Sequence, residues 1–334
     1  MDPVTQGVLG VSLAQSCSRP RQLVWAGFIG MIGAMAPDLD VLIQSDTDPL
    51  LFLVYHRQFT HSLFFIPFAG VVLGCLLFLL LGRWTRFSLK QTIMFTTLGY
   101  ATHPLLDACT TYGTQLLWPF SDQRFAWNNM SIVDPVYTLT IIVLVLFAAV
   151  KKSPVISRAA MVWVLVYPLI GVVQRERAEA AGWELAAQRG HSPVRLEAKP
   201  SFGNLLVWKV IYEADQHFYV DAVRVAQDVS IYEGERLQRL DLQRDFPWLS
   251  EDTQQARDVE RFRWFSNNYL AQDPQHLYRI IDVRYSMVPN EIEALWSIEL
   301  NPDAQPAKHS EYIVSRASTA RHRKTLLTML LGEH

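Results

Sequence analysis

Between Leu63 and Leu81 the chain reads LFFIPFAGVVLGCLLFLLL, nineteen residues without one charged side chain. Such a run can satisfy its backbone in hydrocarbon only as a helix, about 28 Å long against the ~30 Å of a bilayer core. It therefore predicts a membrane span and excludes a fold built wholly around an ordinary soluble core. Four further apolar runs, at 23–43, 92–108, 135–150 and 159–173, extend the expectation to a bundle of about five transmembrane helices. The segment 4–16 is apolar but short for a span and reads as an interfacial or re-entrant helix.

Charge divides the chain at about residue 174. Residues 1–174 hold ten Lys/Arg and eight acids, every acid an Asp, whereas 175–334 hold twenty Lys/Arg and twenty-four acids. The expected organisation is a membrane-embedded helical domain, 1–174, followed by a soluble α+β domain, 175–334. In the latter, LLVWKVIY, HFYVDAVRV, LYRIIDVRY and ALWSIEL alternate as strands do, and TQQARDVERFRWFSNNYL has a helical pattern. A formal net charge of −2 carries no footprint for a polyanion, so no nucleic-acid partner is expected. Cys17, Cys75 and Cys109 have neither disulfide nor zinc-knuckle spacing and read as buried small apolar residues. The start, MDPVTQGVLG, lacks the basic region of a signal peptide.

Loop charges orient the spans. Arg19, Arg21, Arg83, Arg86, Lys90, Lys151, Lys152 and Arg158 fall in alternate loops, with only Arg57 and Arg124 in the others. By the positive-inside bias the eight mark the cytoplasmic side, leaving 44–62, 109–134 and the C-terminal domain on the outer, periplasmic side of a multi-pass inner-membrane protein.

Ionisable groups collect on that outer side. They are Asp38 and Asp40 in APDLD, His56 and His61 in HRQFTHS, and His103 and Asp107 in HPLLD. His103 and Asp107 are one helical turn apart on one face, a spacing two ligands of one metal can use. Asp38 and Asp40 cannot share a helical face, and Pro37 predicts a backbone break that lets them converge. Of His56 and His61, five apart, at least one must come from a turn, with Thr60 or Ser62 capping the next span. Each pair has a bland alternative: a structural His–Asp hydrogen bond, an Asp at a helix end, two surface histidines. Against that stands the meeting of three His and three Asp from separate segments at the edge of apolar spans, where ionisable groups are costly. The mixed N/O set suits one or two divalent transition-metal ions, zinc first, with manganese or iron as alternatives. Such ions can activate water and polarise a phosphoryl oxygen. Arg57 has the planar fork to pair with a substrate phosphate, and Thr60, Ser62, Thr111 and Gln115 could orient ligands. Asp134, before Pro135, reads as a helix N-cap. Asp46 and Asp48 read as a solvated loop, and His217, His276, His309 and His322 as mostly exposed.

In order, MDPVTQGVLG, PDLD, HRQFTHS, HPLLDACTTYGTQLLWPFSD and DPVYT closely resemble the YdjM-like inner-membrane proteins, described as metal-dependent hydrolases. The resemblance spans about residues 1–175. That family is similar at a distance to zinc-dependent phospholipase C, helical enzymes with clustered His and Asp ligands. The resemblance implies that His103 and Asp107 form an HxxxD metal pair, with His56, His61, Asp38 and Asp40 as further ligands. Many relatives carry a histidine where this chain has Gln6. The expected activity is hydrolysis of a phosphoester, a lipid or envelope intermediate reached from the bilayer surface, with Asp38, His61 and Arg57 at the reacting centre. A metal or proton transporter, or a scaffold stapled by a structural metal, are the rival readings.

Overall fold

The computed structural model describes residues 1–333. The N-terminal part is helical: α1 (Pro3–Ser16), α2 (Leu23–Met35), the short α3 (Leu51–Tyr55), α4 (Ile66–Thr85), α5 (Leu89–Cys109), α6 (Pro135–Lys151) and α7 (Pro154–Gln188). All five expected spans are helices, but only three are long and apolar enough to cross a membrane by themselves: Leu23–Leu42, Ile66–Thr85 and Pro154–Gln188. Helix α6 has 17 residues. Helix α5 is long enough, but Thr92, Thr96, Thr102, His103 and Asp107 dilute its apolar character, and all five are buried inside the bundle. Side chains such as Val72 and Leu79 on α4, Val143 on α6, and Leu165 and Leu169 on α7 stand exposed, as lipid-facing positions do.

Glycines bring the site-bearing helices together. A Cβ on Gly30 would fall 2.5 Å from the Gly10 carbonyl oxygen, and one on Gly99 only 2.0 Å from that of Gly30. Helices α1, α2 and α5 thus meet backbone to backbone, the close approach that small residues permit between apolar helices. Ala14, Ala26, Ile29, Leu77, Phe87 and Phe95 fill the core beside this contact. Asp2 caps α1 through Thr5 N–H (3.0 Å), and Ser88 with Gln91 forms a reciprocal capping box on α5. Asp134 caps α6 as expected, accepting from Tyr137 N–H, and also accepts the Tyr167 hydroxyl at 2.8 Å. Cys109 is buried, Cys75 half-buried and Cys17 exposed, so burial holds fully for one cysteine of the three.

The second part has two four-stranded antiparallel sheets. One runs β1 (Arg195–Pro200), β2 (Val207–Ala214), β3 (His217–Val225), β4 (Val229–Gln238). The other, after α8 (Leu242–Asp245) and α9 (Gln254–Phe265), runs β5 (Leu270–Gln272), β6 (Arg279–Asp282), β7 (Trp296–Glu299), β8 (Glu311–Val314), and α10 (Ala320–Leu331) follows. Asp215 and Gln216, both at positive φ, turn β2 into β3 in two residues, the hairpin geometry that matches strand twist. Ile211, Phe218, Val220, Tyr269, Ile281 and Val283 form a core that joins strands of both sheets. Within it Lys209 on β2 lies directly opposite Lys199 on β1, and both are 4% exposed. The Lys209 amine donates to Ser286 Oγ (2.6 Å) and the Glu291 carbonyl (2.8 Å).

Two compact units emerge, and their boundary is not a single cut. Residues 43–54 belong with the C-terminal unit, and 202–204 with the N-terminal one. Asp48, expected in a solvated loop, pairs with Arg261 of α9 at 2.8 Å, and Phe52 lies against Tyr312, ring centroids 5.6 Å apart. Arg261 and His309 also reach the buried carboxylate of Asp258. The expectation of mostly exposed histidines fails for the same reason of local pairing: His309 is half-buried on Asp258, His322 is buried in the cap of α10, and only His276 is fully exposed among the four.

Candidate metal centre

Helix α2 ends at Met35 and the chain tightens into a 3-10 turn, Pro37–Leu42, as the proline predicts. Three residues per turn put Asp38 and Asp40 about 240° apart around that turn, so they face different partners. Asp38 Oδ1 faces His103 Nε2 (3.2 Å) and His61 Nε2 (3.6 Å). Asp107 Oδ2 completes the set, 3.3 Å from His61 Nε2 and 3.6 Å from His103 Nε2. His61 comes from a second 3-10 turn, Phe59–His61, and His103 and Asp107 from the end of α5. Three separate segments thus contribute one atom or two each, all within 4.8 Å of one another.

Those distances discriminate between a metal site and an ion-paired cluster. Charge-assisted N–H···O bonds close to about 2.7–2.9 Å. Here the imidazole–carboxylate spacings are longer, 3.2–3.6 Å, and neither His61 Nε2 nor His103 Nε2 makes a hydrogen bond, while Asp107 Oδ2 lies 2.9 Å from Arg57 Nε without forming one. A tetrahedron of zinc–nitrogen and zinc–oxygen bonds, about 2.0–2.2 Å each, has edges of about 3.3–3.6 Å. The four imidazole–carboxylate distances, 3.2–3.6 Å, lie at or close to that spacing and all four donors fall within 4.8 Å of one another, so the residues fit a divalent transition metal.

What surrounds the donors aims them. His61 Nδ1 faces Asp40 Oδ2 (3.3 Å) and Thr60 Oγ1 (2.9 Å), while His103 Nδ1 faces the Ala34 carbonyl. With each Nδ1–H so engaged, each Nε2 lone pair is left for the centre, the usual support of a metal-binding imidazole. Gln6 donates to Asp107 Oδ1 at 2.9 Å, and the Met1 amino group is buried against the same oxygen, leaving Oδ2 inward. Burial works against a charged His61, yet Asp107, Asp38 and Asp40 prevail and raise its pKa to about 10. A divalent cation bound there would compete with a proton for the imidazole lone pair, so metal binding would release protons.

Asp40 and His56 form a neighbouring group with Asp38. His56 Nδ1 lies 2.8 Å from Asp40 Oδ1, and Asp40 Oδ2 accepts from Arg57 N–H (2.9 Å) and Thr60 Oγ1–H (2.8 Å). Asp40 is thereby engaged by protein donors on both oxygens. Arg57 is buried: its Nε lies 2.9 Å from Asp107 Oδ2 and Nη1 donates to Thr110 Oγ1 at 3.1 Å. Neither Thr60 nor Ser62 caps α4, whose N-cap is Phe65. Thr60 serves Asp40 instead, and Ser62 accepts from Phe64 N–H (3.1 Å) and donates to the Trp118 carbonyl. Gln115 meets Arg57 only through its backbone, N–H to carbonyl at 3.0 Å, and Thr111 is buried in the same loop. Sequence motifs alone did not point to the Ala34 carbonyl or to the ring contact of Tyr112, 4.8 Å from the Arg57 guanidinium. Backbone acceptors carry no residue signature, and the aromatic contact needs the loop's fold.

Comparison with known proteins agrees with the membrane character of the helices. Residues 1–178 match the YdjM inner membrane protein family. Inner membrane protein YbcI of Escherichia coli is 38% identical over 122 residues, 35% of this chain and 64% of that protein. An uncharacterized protein of Bacillus subtilis, YfhP, is 24% identical over 185 residues, 53% of this chain and 55% of its own length. The chain thus spans about three fifths of the curated relatives it matches. No solved structure matches. The family match covers more than half of the chain and takes in every residue of the four-donor centre, and on that ground the chain belongs to the YdjM inner membrane protein family.

Proposed function

We propose that this is an integral inner-membrane, metal-dependent hydrolase of phosphoesters, with Asp38, His61, His103 and Asp107 as the ligands of one ion. The observation that carries the reading is the convergence of four donors within 4.8 Å, with imidazole–carboxylate distances of 3.2–3.6 Å and both imidazole Nε2 atoms buried without a hydrogen bond. Bound there, a divalent ion such as zinc would polarise a phosphoryl oxygen and make water a stronger acid. The chain's own part is to hold the ligands in shape. Asp40 and the Ala34 carbonyl fix the imidazoles, and Gln6 and Arg57 fix Asp107.

Asp38 is the open side, its side chain 28% exposed while the other three donors are fully buried. Its neighbours Leu39 (62% exposed) and Leu42 (74%) give that opening an apolar border. A substrate with a phosphoester head and an apolar tail, a lipid or an envelope intermediate, suits such a border. The basic loops lie at the opposite ends of α2, α4 and α5 from the donors, so the centre opens on the outer face and α7 leads to a periplasmic C-terminal unit.

The test is metal analysis of the full chain purified in detergent, followed by a screen of phosphodiester and phosphomonoester lipids with and without chelator. About one zinc per chain is expected, lost on His103→Ala and Asp107→Ala, with chelator-sensitive release from one lipid class. Absence of a stoichiometric transition metal, or content unchanged in both variants, refutes the reading.

A further inference from the structure

Arg57 holds a backbone conformation that side-chain-bearing residues rarely adopt, φ 63°, just beyond α3. Three contacts, one from its backbone and two from its side chain, explain why it is kept. In that conformation the Arg57 N–H donates to Asp40 Oδ2 (2.9 Å) while the side chain reaches Asp107, Nε to Oδ2 2.9 Å, and Thr110, Nη1 to Oγ1 3.1 Å. Its carbonyl accepts from Gln115 N–H at 3.0 Å, and the Tyr112 ring covers the guanidinium. At 6% exposure the fork is already committed to the protein and is not offered to an incoming phosphate.

We propose that Arg57 is a positioning residue for the metal centre, acting through Asp107 with its side chain and through Asp40, and so His61, with its backbone. The proposal rests on the metal reading above. Asp107 has one oxygen taken by Gln6 and the Met1 amine and the other shared between Arg57 and the centre. Arg57 therefore helps fix the plane of Asp107, a fully buried carboxylate that solvent does not reorient. Its backbone bond to Asp40, alongside the side-chain bonds of His56 and Thr60 to the same carboxylate, ties the segment leading to His61 to the turn bearing Asp38. One residue thus sets the mutual placement of three of the four ligands.

The experiment measures zinc affinity of the full chain in detergent by competition with a chromophoric chelator, for the wild type, Arg57→Met and Arg57→Lys, with melting temperatures alongside. Loss of a group that supports a ligand weakens metal binding roughly 10- to 100-fold. That loss is expected for Arg57→Met. Arg57→Lys keeps a buried cation but not the fork, so it should melt near the wild-type temperature yet still bind zinc measurably more weakly. Wild-type protein that binds no zinc overturns the parent reading and this inference with it. Zinc bound equally or more tightly by both variants, the wild type binding normally, overturns the positioning role alone. A raised KM with unchanged zinc affinity would return Arg57 to contact with substrate.

Discussion

Replacing Lys209 by methionine should stabilise the C-terminal unit, and the size of the effect follows from how the amine is held. Its two acceptors, Ser286 Oγ and the Glu291 carbonyl, are both neutral, which suits the two hydrogens of an uncharged amine. Burial drives the pKa of Lys209 down to about 7, against the pull of Asp282, Glu235 and Glu291 and with a further push from Lys199. In the unfolded chain the group titrates near 10.4. Between about pH 7 and 10.4 the unfolded state carries a proton the folded state lacks, so stability rises with pH by up to ~1.4 kcal/mol per unit. Below about pH 7 both states are protonated and the whole penalty, on the order of 5 kcal/mol, applies. Lys209→Met abolishes that slope. It leaves the Glu291 carbonyl without this donor, at about 1–3 kcal/mol, so a net gain of roughly 2–4 kcal/mol is expected near pH 7. Native-state hydrogen exchange of β2 and β6 peptides in the full chain, corrected for intrinsic rates at pH 7 and 9, reads both quantities. Equal pH slopes in wild type and variant, or a variant destabilised as by an ordinary core truncation, would refute the reasoning.

Two further substitutions probe the frame. Gly99→Ala sets a methyl group 2.0 Å from the Gly30 carbonyl oxygen, so α2 and α5 must part. A loss of about 1–3 kcal/mol is expected from overpacking, read as a lower melting temperature in detergent together with weaker metal retention. Arg261→Ala removes the partner of Asp48, and segment 43–54 should become more susceptible to limited proteolysis while the sheets of the C-terminal unit keep their exchange protection. Unchanged cleavage would mean that the remaining contacts, Phe52 with Tyr312 and Asp48 with His309 among them, suffice to hold the segment.

Much of the site was legible because ionisable residues in apolar sequence have few reasons to be there. The positions of the helices followed from hydropathy, and the break at Pro37 from its geometry. What the sequence could not divide was the ligand set itself. Asp38 and Asp40 are equivalent as text, and only the 3-10 turn sends one to the centre and the other to the far side of His61. Gln6 drew notice as a departure from a family pattern that could still hydrogen-bond within the site, and its side chain does so on Asp107. Arg57 misled because a positive φ at a residue other than glycine leaves no trace in composition; its planar fork suggested phosphate, and its fold-imposed partner is a carboxylate. The number of self-sufficient spans was overcounted at α5, where polar residues that would be intolerable against lipid are tolerated inside the bundle.

The twelve residues 43–54 leave one unit, join the other and return, between the turn that bears Asp38 and the one that bears His61. The family-matched stretch, 1–178, therefore lacks the partners that segment 43–54 finds in the C-terminal unit. Expressed alone, it would carry a slack loop in the middle of its own centre, its anchor having gone with the missing half. Segment 43–54 thus ties its own hold on the C-terminal unit, by covalent continuity alone, to the turns that bear Asp38 and His61.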